Sequence, residues 1–313
     1  MDGATLPNCD FLSEALAGLG TAPKSMSPKW FYDEQGSHLF EQITQLPEYY
    51  PTRTETAILH DQIDTLAGYV PEGAALIELG SGASVKTRLL LDGIAGISTY
   101  RPLDISAQFL QDTAEALQTD YPDIEMRPMV ADFMTDIAPA PTLSDRPNVV
   151  FFPGSTIGNL TADQAITLLS RVREWPGVTA FILGADLVKS ADVLVPAYDD
   201  AAGVTGAFNL NMLARMNREL NADFDLNAFE HVALWNMGCS RIEMHLRSTR
   251  DQTVTIGGRA ITFAAGETIH TENSRKFTPL TLRDMARQAG WRIAELVTDP
   301  DNLFAEAVLI PAK

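Results

Sequence analysis

The sequence predicts an α/β fold on a mostly parallel sheet, interrupted by a smaller second domain. Three observations predict it. Short apolar runs alternate with helical-length amphipathic segments from about residue 55 to Gly184. A glycine-rich turn, Gly80-Ser81-Gly82, follows the first of those runs. The rhythm stops after Asp186, gives way to short strands, and resumes near Leu280. Strands alternating with ten-to-fifteen-residue helical patterns imply βαβ units and a parallel sheet.

The elements follow in order. Asp10 to Leu16 has amphipathic helical spacing, and Lys24 to Pro28 reads as a turn-rich linker. Trp30, Phe31, Tyr32, Leu39, Phe40, Ile43, Tyr49 and Tyr50 form an aromatic-rich segment closing at Pro51. Thr54-Glu55 opens a helix to about Ala67. Ala75 to Leu79 is a buried strand, Ser84 to Gly93 a helix, and Thr99 to Leu103 a second strand ending at Asp104. Ser106 to Thr119 is a helix, Ile124 to Val130 a third strand and Asn148 to Phe152 a fourth. Thr161 caps a helix to Glu174, with Gln164 completing a capping box. Thr179 to Gly184 is the fifth strand.

Beyond Asp186, Pro196 to Phe208 reads as a loop and Asn209 to Glu219 as a helix. His231–Trp235, Arg241–Arg247, Thr253–Ile256 and Ala260–Phe263 read as antiparallel strands, the last two joined by the hairpin signal Gly257-Gly258. Helix Leu280–Ala289 and strands Trp291–Val297 and Phe304–Ile310 return the chain to the sheet. The partition is 55–187 with 277–313 for the sheet domain, and 1–54 with 188–276 for a smaller α+β domain.

Composition narrows the partners. The 313 residues carry 23 Lys+Arg against 41 Asp+Glu, a net charge of −18. Neutralising phosphates takes clustered Lys/Arg, and no such cluster occurs, which argues against nucleic acid and anionic membranes. The charge is explained by solubility alone. Two cysteines make no disulfide framework. The N-terminus lacks the basic-then-apolar run of a signal peptide. No apolar stretch approaches the roughly 20 residues of a membrane helix. A soluble, cytoplasmic, monomeric protein with a small-molecule partner is expected.

The sharpest local signal is Glu78-Leu79-Gly80-Ser81-Gly82, at a strand-to-helix turn. Glycines there let the backbone approach a ligand, and the next helix offers free N–H groups. The dinucleotide fingerprint wants a third glycine where this chain has Val85, which disfavours a nicotinamide or flavin cofactor. Asp104 ends the second strand, 24 residues after Gly80, where a carboxylate accepts from ribose hydroxyls. Asp132-Phe133 follows the third strand, where an acid meets an adenine amino group and an aromatic covers the ring. Singly, an Asp at a strand end is usually a helix cap and a Lys such as Lys86 a solvated charge. Together they sit where ligands of doubly wound sheets bind.

Six further stretches are too specific for ordinary loops: Lys29–Asp33, Leu46–Glu55, Gly154–Leu160, Tyr198–Thr205, Arg241–Met244 and Thr271–Phe277. With the glycine motif, in this order and spacing from about Pro23 onward, they resemble the histidine Nα-methyltransferases of the ergothioneine pathway. The resemblance implies a Rossmann-like class I domain binding S-adenosylmethionine, released as S-adenosylhomocysteine, with a smaller substrate-binding domain. It implies that Gly80, Ser81, Gly82, Lys86, Asp104, Asp132 and Phe133 bind the cofactor, Lys86 at its methionine carboxylate. Tyr49, Gly154, Asn159 and Tyr198 match positions around the substrate's amino and carboxylate groups. Glu272 and Ser274 match the pair that bonds the imidazole, and Met244 a residue packing beside it. Asn273 stands where an apolar residue is expected, and is expected to point away from the ligand.

The implied chemistry is in-line methyl transfer, in which the protein mainly aligns a nitrogen lone pair. The amine must lose a proton, to Tyr32 or to Tyr49 directly or through water. Successive transfer would give a trimethylated betaine, whose cation suits aromatic faces. The five histidines show no metal spacing, and no metal is expected. Three competing readings stand beside this one: an N-methyltransferase of another small amine, a nucleotide-cofactor oxidoreductase, and a non-catalytic binding subunit. Glu272 with Ser274 discriminates against the first, since they would be wasted on an apolar side chain.

Overall fold

The computed structural model describes residues 9–81, 85–105, 107–133 and 146–313. The chain starts with α1 (Cys9–Leu19), β1 (Lys24–Ser25), α2 (Glu34–Thr44), α3 (Tyr50–Asp61) and α4 (Ile63–Ala67). Then come β2 (Ala74–Leu79), α5 (Val85–Gly93), β3 (Ile97–Asp104), α6 (Ala107–Asp120), β4 (Glu125–Met126), β5 (Met129–Val130), β6 (Asn148–Phe152), α7 (Ala162–Arg173) and β7 (Val178–Asp186). The middle carries α8 (Ala191–Leu194), α9 (Val204–Leu220), β8 (Phe229–Asn236), β9 (Arg241–Ser248), β10 (Gln252–Ile256), β11 (Arg259–Phe263) and β12 (Thr268–Arg275). The chain closes with α10 (Pro279–Gln288), β13 (Trp291–Thr298) and β14 (Phe304–Pro311). Two compact units result: Pro51–Val188 with Arg275–Lys313, and Met1–Tyr50 with Lys189–Ser274.

The first unit is built on the sheet β13-β14-β7-β6-β2-β3-β4, with β5 also on β3. The pairs from β7 to β3 and on to β4 and β5 are parallel, and β14 is antiparallel to both neighbours. Every residue of β2 and β6 is buried, as expected of parallel strands covered on both faces. One face packs Ile77, Phe152 and Phe181 against Leu168 and Leu169 of α7 and Met285 of α10. The other packs Leu76, Phe151 and Ile182 against Leu59, Leu66 and Leu90 of α3, α4 and α5. Trp291 is anchored within the first layer by its indole N–H, which donates to the Leu169 carbonyl at 2.8 Å. Strand order reverses between β2 and β6, so a ligand crevice is expected at their carboxyl ends.

The second unit holds the sheet β1-β12-β9-β8 and the hairpin β10–β11. Gly257 and Gly258 turn that hairpin with φ of 53° and 78°, the two positive values a type I′ turn requires. Helix α9 packs on α2 and on β8. The Asp33 carboxylate joins the two helices, capping α2 through Gly36 N–H and accepting from Asn211 Nδ2, each at 2.7 Å.

Several boundaries differ from the sequence expectation. Lys24-Ser25 is a short strand pairing in parallel with Ile269-His270, because main-chain pairing needs no apolar pattern. The first long helix begins at Tyr50, before Thr54, and breaks at Gln62. The third strand is two short pieces, β4 and β5. Part of the expected loop 196–208 is helix: α9 starts at Val204 because the Asp200 carboxylate accepts from Val204 N–H and Thr205 N–H, at 3.0 and 2.7 Å. Thr271–Arg275 lies in a sheet strand rather than in a loop, whereas Arg241–Met244 falls in the strand expected there. The capping box at Thr161 and Gln164 is present. The expected helix starts Ser84 and Ser106 lie outside the described residues, and among those described no helix is long and apolar enough to cross a membrane.

Candidate active site

Gly80 follows β2 directly with φ of 70°, and its N–H donates to the Leu103 carbonyl at 2.8 Å. This left-handed turn brings the backbone against Phe133, whose Cε1 lies 3.7 Å from where a Cβ on Gly80 would stand. Ser81, next in the turn, is 4% exposed, and its buried Oγ has no partner among the described residues. An orphaned hydroxyl at a strand-end turn is what a bound polar ligand would satisfy. Asp104 closes β3, half-buried, and its carbonyl accepts from Ala131 N–H at 3.0 Å. That bond sets Asp132 and Phe133 just beyond β5, both half-buried, with the Phe133 ring edge-on to Phe152 at 5.3 Å. Val85, Ile105 and Val130 border these strand ends as exposed apolar side chains. Carboxylates, an orphaned hydroxyl, an aromatic ring and an apolar rim fit a nucleoside cofactor. Gly82 lies outside the described residues.

Lys86, in the first turn of α5, pairs with Glu55 of α3. Glu55 is fully buried, and both of its oxygens accept from the Gly154 N–H, at 2.8 and 3.0 Å. A Cβ on Gly154 would lie 3.6 Å from Lys86 Nζ, so these three groups share one small volume. Gly154 and Ser155 both have left-handed φ, 75° and 55°. For Ser155 that conformation is strained, at a cost of about 1–2 kcal/mol. Its Oγ accepts from Asp186 N–H at 2.9 Å, which holds the turn. Asn159 ends the following 3₁₀ turn, Thr156–Asn159, half-buried. Sequence reasoning gave no role to Glu55, although it closes the Leu46–Glu55 stretch.

Glu78, two residues before Gly80, is a second buried acid that sequence reasoning left aside. Its Oε2 accepts from Thr87 Oγ1 at 2.5 Å and from the Tyr100 hydroxyl at 2.6 Å. Burial pushes its carboxyl up to about 7, against the lowering effect of those two bonds.

In the second unit an aromatic row leads to the strand β12. The Tyr32 and Phe40 rings meet at 5.7 Å, Phe40 and Tyr49 at 6.2 Å, and Tyr49 and Tyr198 at 6.2 Å. The Tyr198 hydroxyl and Ser274 Oγ lie 2.7 Å apart in a buried hydrogen bond across 76 positions of sequence. Met244 is buried on β9, and its carbonyl accepts from Thr271 Oγ1 of β12 at 3.0 Å. Glu272 is half-buried on β12. Asn273 contacts His270, whereas Ser274 bonds Tyr198. Tyr32 and Tyr49 thus flank one ring, and six of the residues singled out, Tyr32, Tyr49, Tyr198, Met244, Glu272 and Ser274, lie on two neighbouring strands and one aromatic row.

Glu243, His245 and His270 bring potential ligand atoms within 4.8 Å of one another, a proximity their sequence spacing conceals. The two imidazoles stack at 4.7 Å with planes 21° apart. Burial holds both below the ordinary histidine range. Arg241 lies 2.5 Å from Glu243 Oε1 and already supplies its countercharge.

The sheet unit gathers carboxylates, an aromatic ring and an orphaned hydroxyl at the strand ends of its reversal point, as a nucleoside-cofactor enzyme requires, and the other unit carries an aromatic row ending in two hydroxyls. The chain belongs to the family described as "Histidine-specific methyltransferase, SAM-dependent", whose model matches residues 11–311. It is 46% identical to the Histidine N-alpha-methyltransferase of Mycolicibacterium smegmatis, over 96% of each chain. It is 47% identical to that of Mycobacterium tuberculosis, over 93% of this chain and 92% of that one. Ergothioneine biosynthesis protein 1 of Neurospora crassa is 32% identical over 62% of this chain and 23% of its own length.

Proposed function

We propose that this protein transfers methyl groups from S-adenosylmethionine to the α-amino nitrogen of L-histidine, up to the trimethylated betaine hercynine, opening ergothioneine biosynthesis. It acts as a monomer, in the cytoplasm, on the free amino acid. When bound, the cofactor would supply an electrophilic methyl on its sulfonium. The residues of the sheet unit hold it. Gly80, Ser81 and Gly82 would let the backbone approach it closely, Lys86 would pair with its methionine carboxylate, and Asp104 would accept from the ribose hydroxyls. Asp132 meets the adenine amino group while Phe133 covers the ring.

Tyr49, Gly154, Asn159 and Tyr198 hold the substrate's amino and carboxylate groups. Glu272 and Ser274 bond the imidazole, and Met244 packs beside it. Tyr32 or Tyr49 takes the proton each amine must lose before its lone pair is free. Alignment of that lone pair is the main contribution to rate, since fixing two reactants in line replaces a bimolecular encounter.

The observation that supports this reading most is the buried Tyr198–Ser274 bond. It joins the group matched to the substrate's polar end to the group matched to its imidazole. A site that hydrogen-bonds a polar substrate rejects analogues lacking that group, because its own polar atoms are left unpaired. Steady-state kinetics of Glu272→Ala on histidine and phenylalanine test the reading. KM for histidine should rise about tenfold, kcat should fall less, and the preference over phenylalanine should narrow. Histidine kinetics within about twofold of wild type would make Glu272 a surface charge.

A further inference from the structure

Glu306 is a buried ionisable group that the chemistry above leaves unused. It sits on β14 opposite Gly184 of β7 and is 0% exposed. Neither of its carboxyl oxygens meets a hydrogen-bond donor among the described residues. The polar group it does meet is the carboxylate of Glu55, itself fully buried. Gly184 makes room for this encounter: a Cβ there would stand 2.3 Å from Glu55 Oε1 and 3.3 Å from Glu306 Oε1. Any other residue at position 184 would displace the Glu55 carboxyl from where it now stands.

Two ionised carboxylates facing each other in a buried volume would set two negative charges against the single ammonium of Lys86. Like charges that close cannot both persist out of water. A buried carboxyl with an acceptor beside it and no donor around it satisfies both groups by carrying the proton itself. We propose that Glu306 is a protonated carboxylic acid donating to Glu55, and that this acid–carboxylate pair positions Lys86 and the Gly154 backbone for the cofactor.

Burial and the neighbouring Glu55 charge both push the Glu306 carboxyl well above its ordinary range. The geometry distributes the bonds without conflict. Glu55 accepts from Gly154 N–H and from Lys86, and its Oε1, beside Gly184, is left to accept the Glu306 proton. Four groups from α3, α5, the turn after β6 and β14 are thereby locked, with one negative charge balancing one positive. Glu306 touches no reactant in this account and acts through Glu55. The inference rests on the proposed place of Lys86 in the cofactor site.

The test compares the full chain with its Glu306→Gln, Glu306→Leu and Lys86→Met variants. The wild-type minus Glu306→Gln infrared spectrum at neutral pH should contain the carbonyl stretch of a buried protonated carboxylic acid. Calorimetry with S-adenosylmethionine should find Glu306→Gln within about twofold of wild type, because the amide supplies the same donor, and Glu306→Leu weaker by about tenfold. The kcat of Glu306→Leu at saturating cofactor should change less than its KM for the cofactor. Absence of the infrared band overturns the proposal, and that result stands even if Glu306→Leu does not fold. Glu306→Leu binding as wild type while Lys86→Met is weakened overturns the role of Glu306 alone. Unchanged affinity in Lys86→Met overturns the place of Lys86 in the cofactor site, and the positioning role with it.

Discussion

Replacing Glu78 by Gln should make the protein more stable at neutral to alkaline pH and flatten its response to pH. Glu78 is 1% exposed, and its carboxyl is pushed up to about 7 from an ordinary 4.5. Between those two values the folded state holds a proton that the unfolded state has released. Its stabilising contribution is therefore full below about pH 4.5 and is lost as pH rises through about 7. A displacement of about two and a half units at 1.36 kcal/mol each corresponds to about 3 kcal/mol, an order-of-magnitude figure. Glutamine cannot ionise, yet its carbonyl still accepts from Thr87 and Tyr100, which now bond Glu78. Urea unfolding of both proteins across this window should give a stability difference growing by about 3 kcal/mol in favour of Glu78→Gln. A constant difference would mean that Glu78 titrates as an ordinary exposed acid, and the argument from burial would fall.

Three further outcomes follow from the same structure. Asp104→Ala should weaken S-adenosylmethionine binding at least about tenfold by calorimetry with the fold intact, since each lost charge-assisted bond is worth about 1.5–3 kcal/mol; unchanged affinity removes Asp104 from the site. Gly184→Ala should destabilise the protein by about 1–3 kcal/mol in urea unfolding, because its Cβ would stand 2.3 Å from Glu55 Oε1; a neutral effect would contradict the tight packing of that strand. Ser274→Ala should raise KM for histidine in the same direction as Glu272→Ala but less, because a neutral hydrogen bond is weaker than a charged one; the reverse order in steady-state kinetics would refute the assigned pair.

The sheet was legible because parallel strands buried on both faces leave continuous apolar runs, such as Asn148–Phe152, each closed by a turn or a carboxylate. The strand ends proposed to hold the cofactor were located for the same reason: Gly80, Asp104 and Asp132 stand where those runs stop. β12 was not read as a strand. Its sequence, Thr268–Arg275, is mostly polar, and its side chains meet other polar groups, such as Tyr198 and the Met244 carbonyl. No apolar alternation marks such a strand. The start of α9 was hidden behind Gly203 and Gly206, which look like loop, whereas the Asp200 carboxylate supplies the cap. Glu55 and Glu306 lie 251 positions apart, and only the glycine on the strand between them reveals that they meet. His245 and His270 likewise become neighbours through the adjacency of β9 and β12.

The central claim is methyl transfer to the α-amino group of histidine. It is tested most directly by incubating the purified protein with S-adenosylmethionine and each free amino acid in turn, and following product masses over time. The account predicts turnover with histidine, mono- and dimethyl species that rise and are consumed, and a final trimethylated product. Turnover of a different amino acid in preference to histidine, or a monomethyl product that accumulates while cofactor remains in excess, would contradict it.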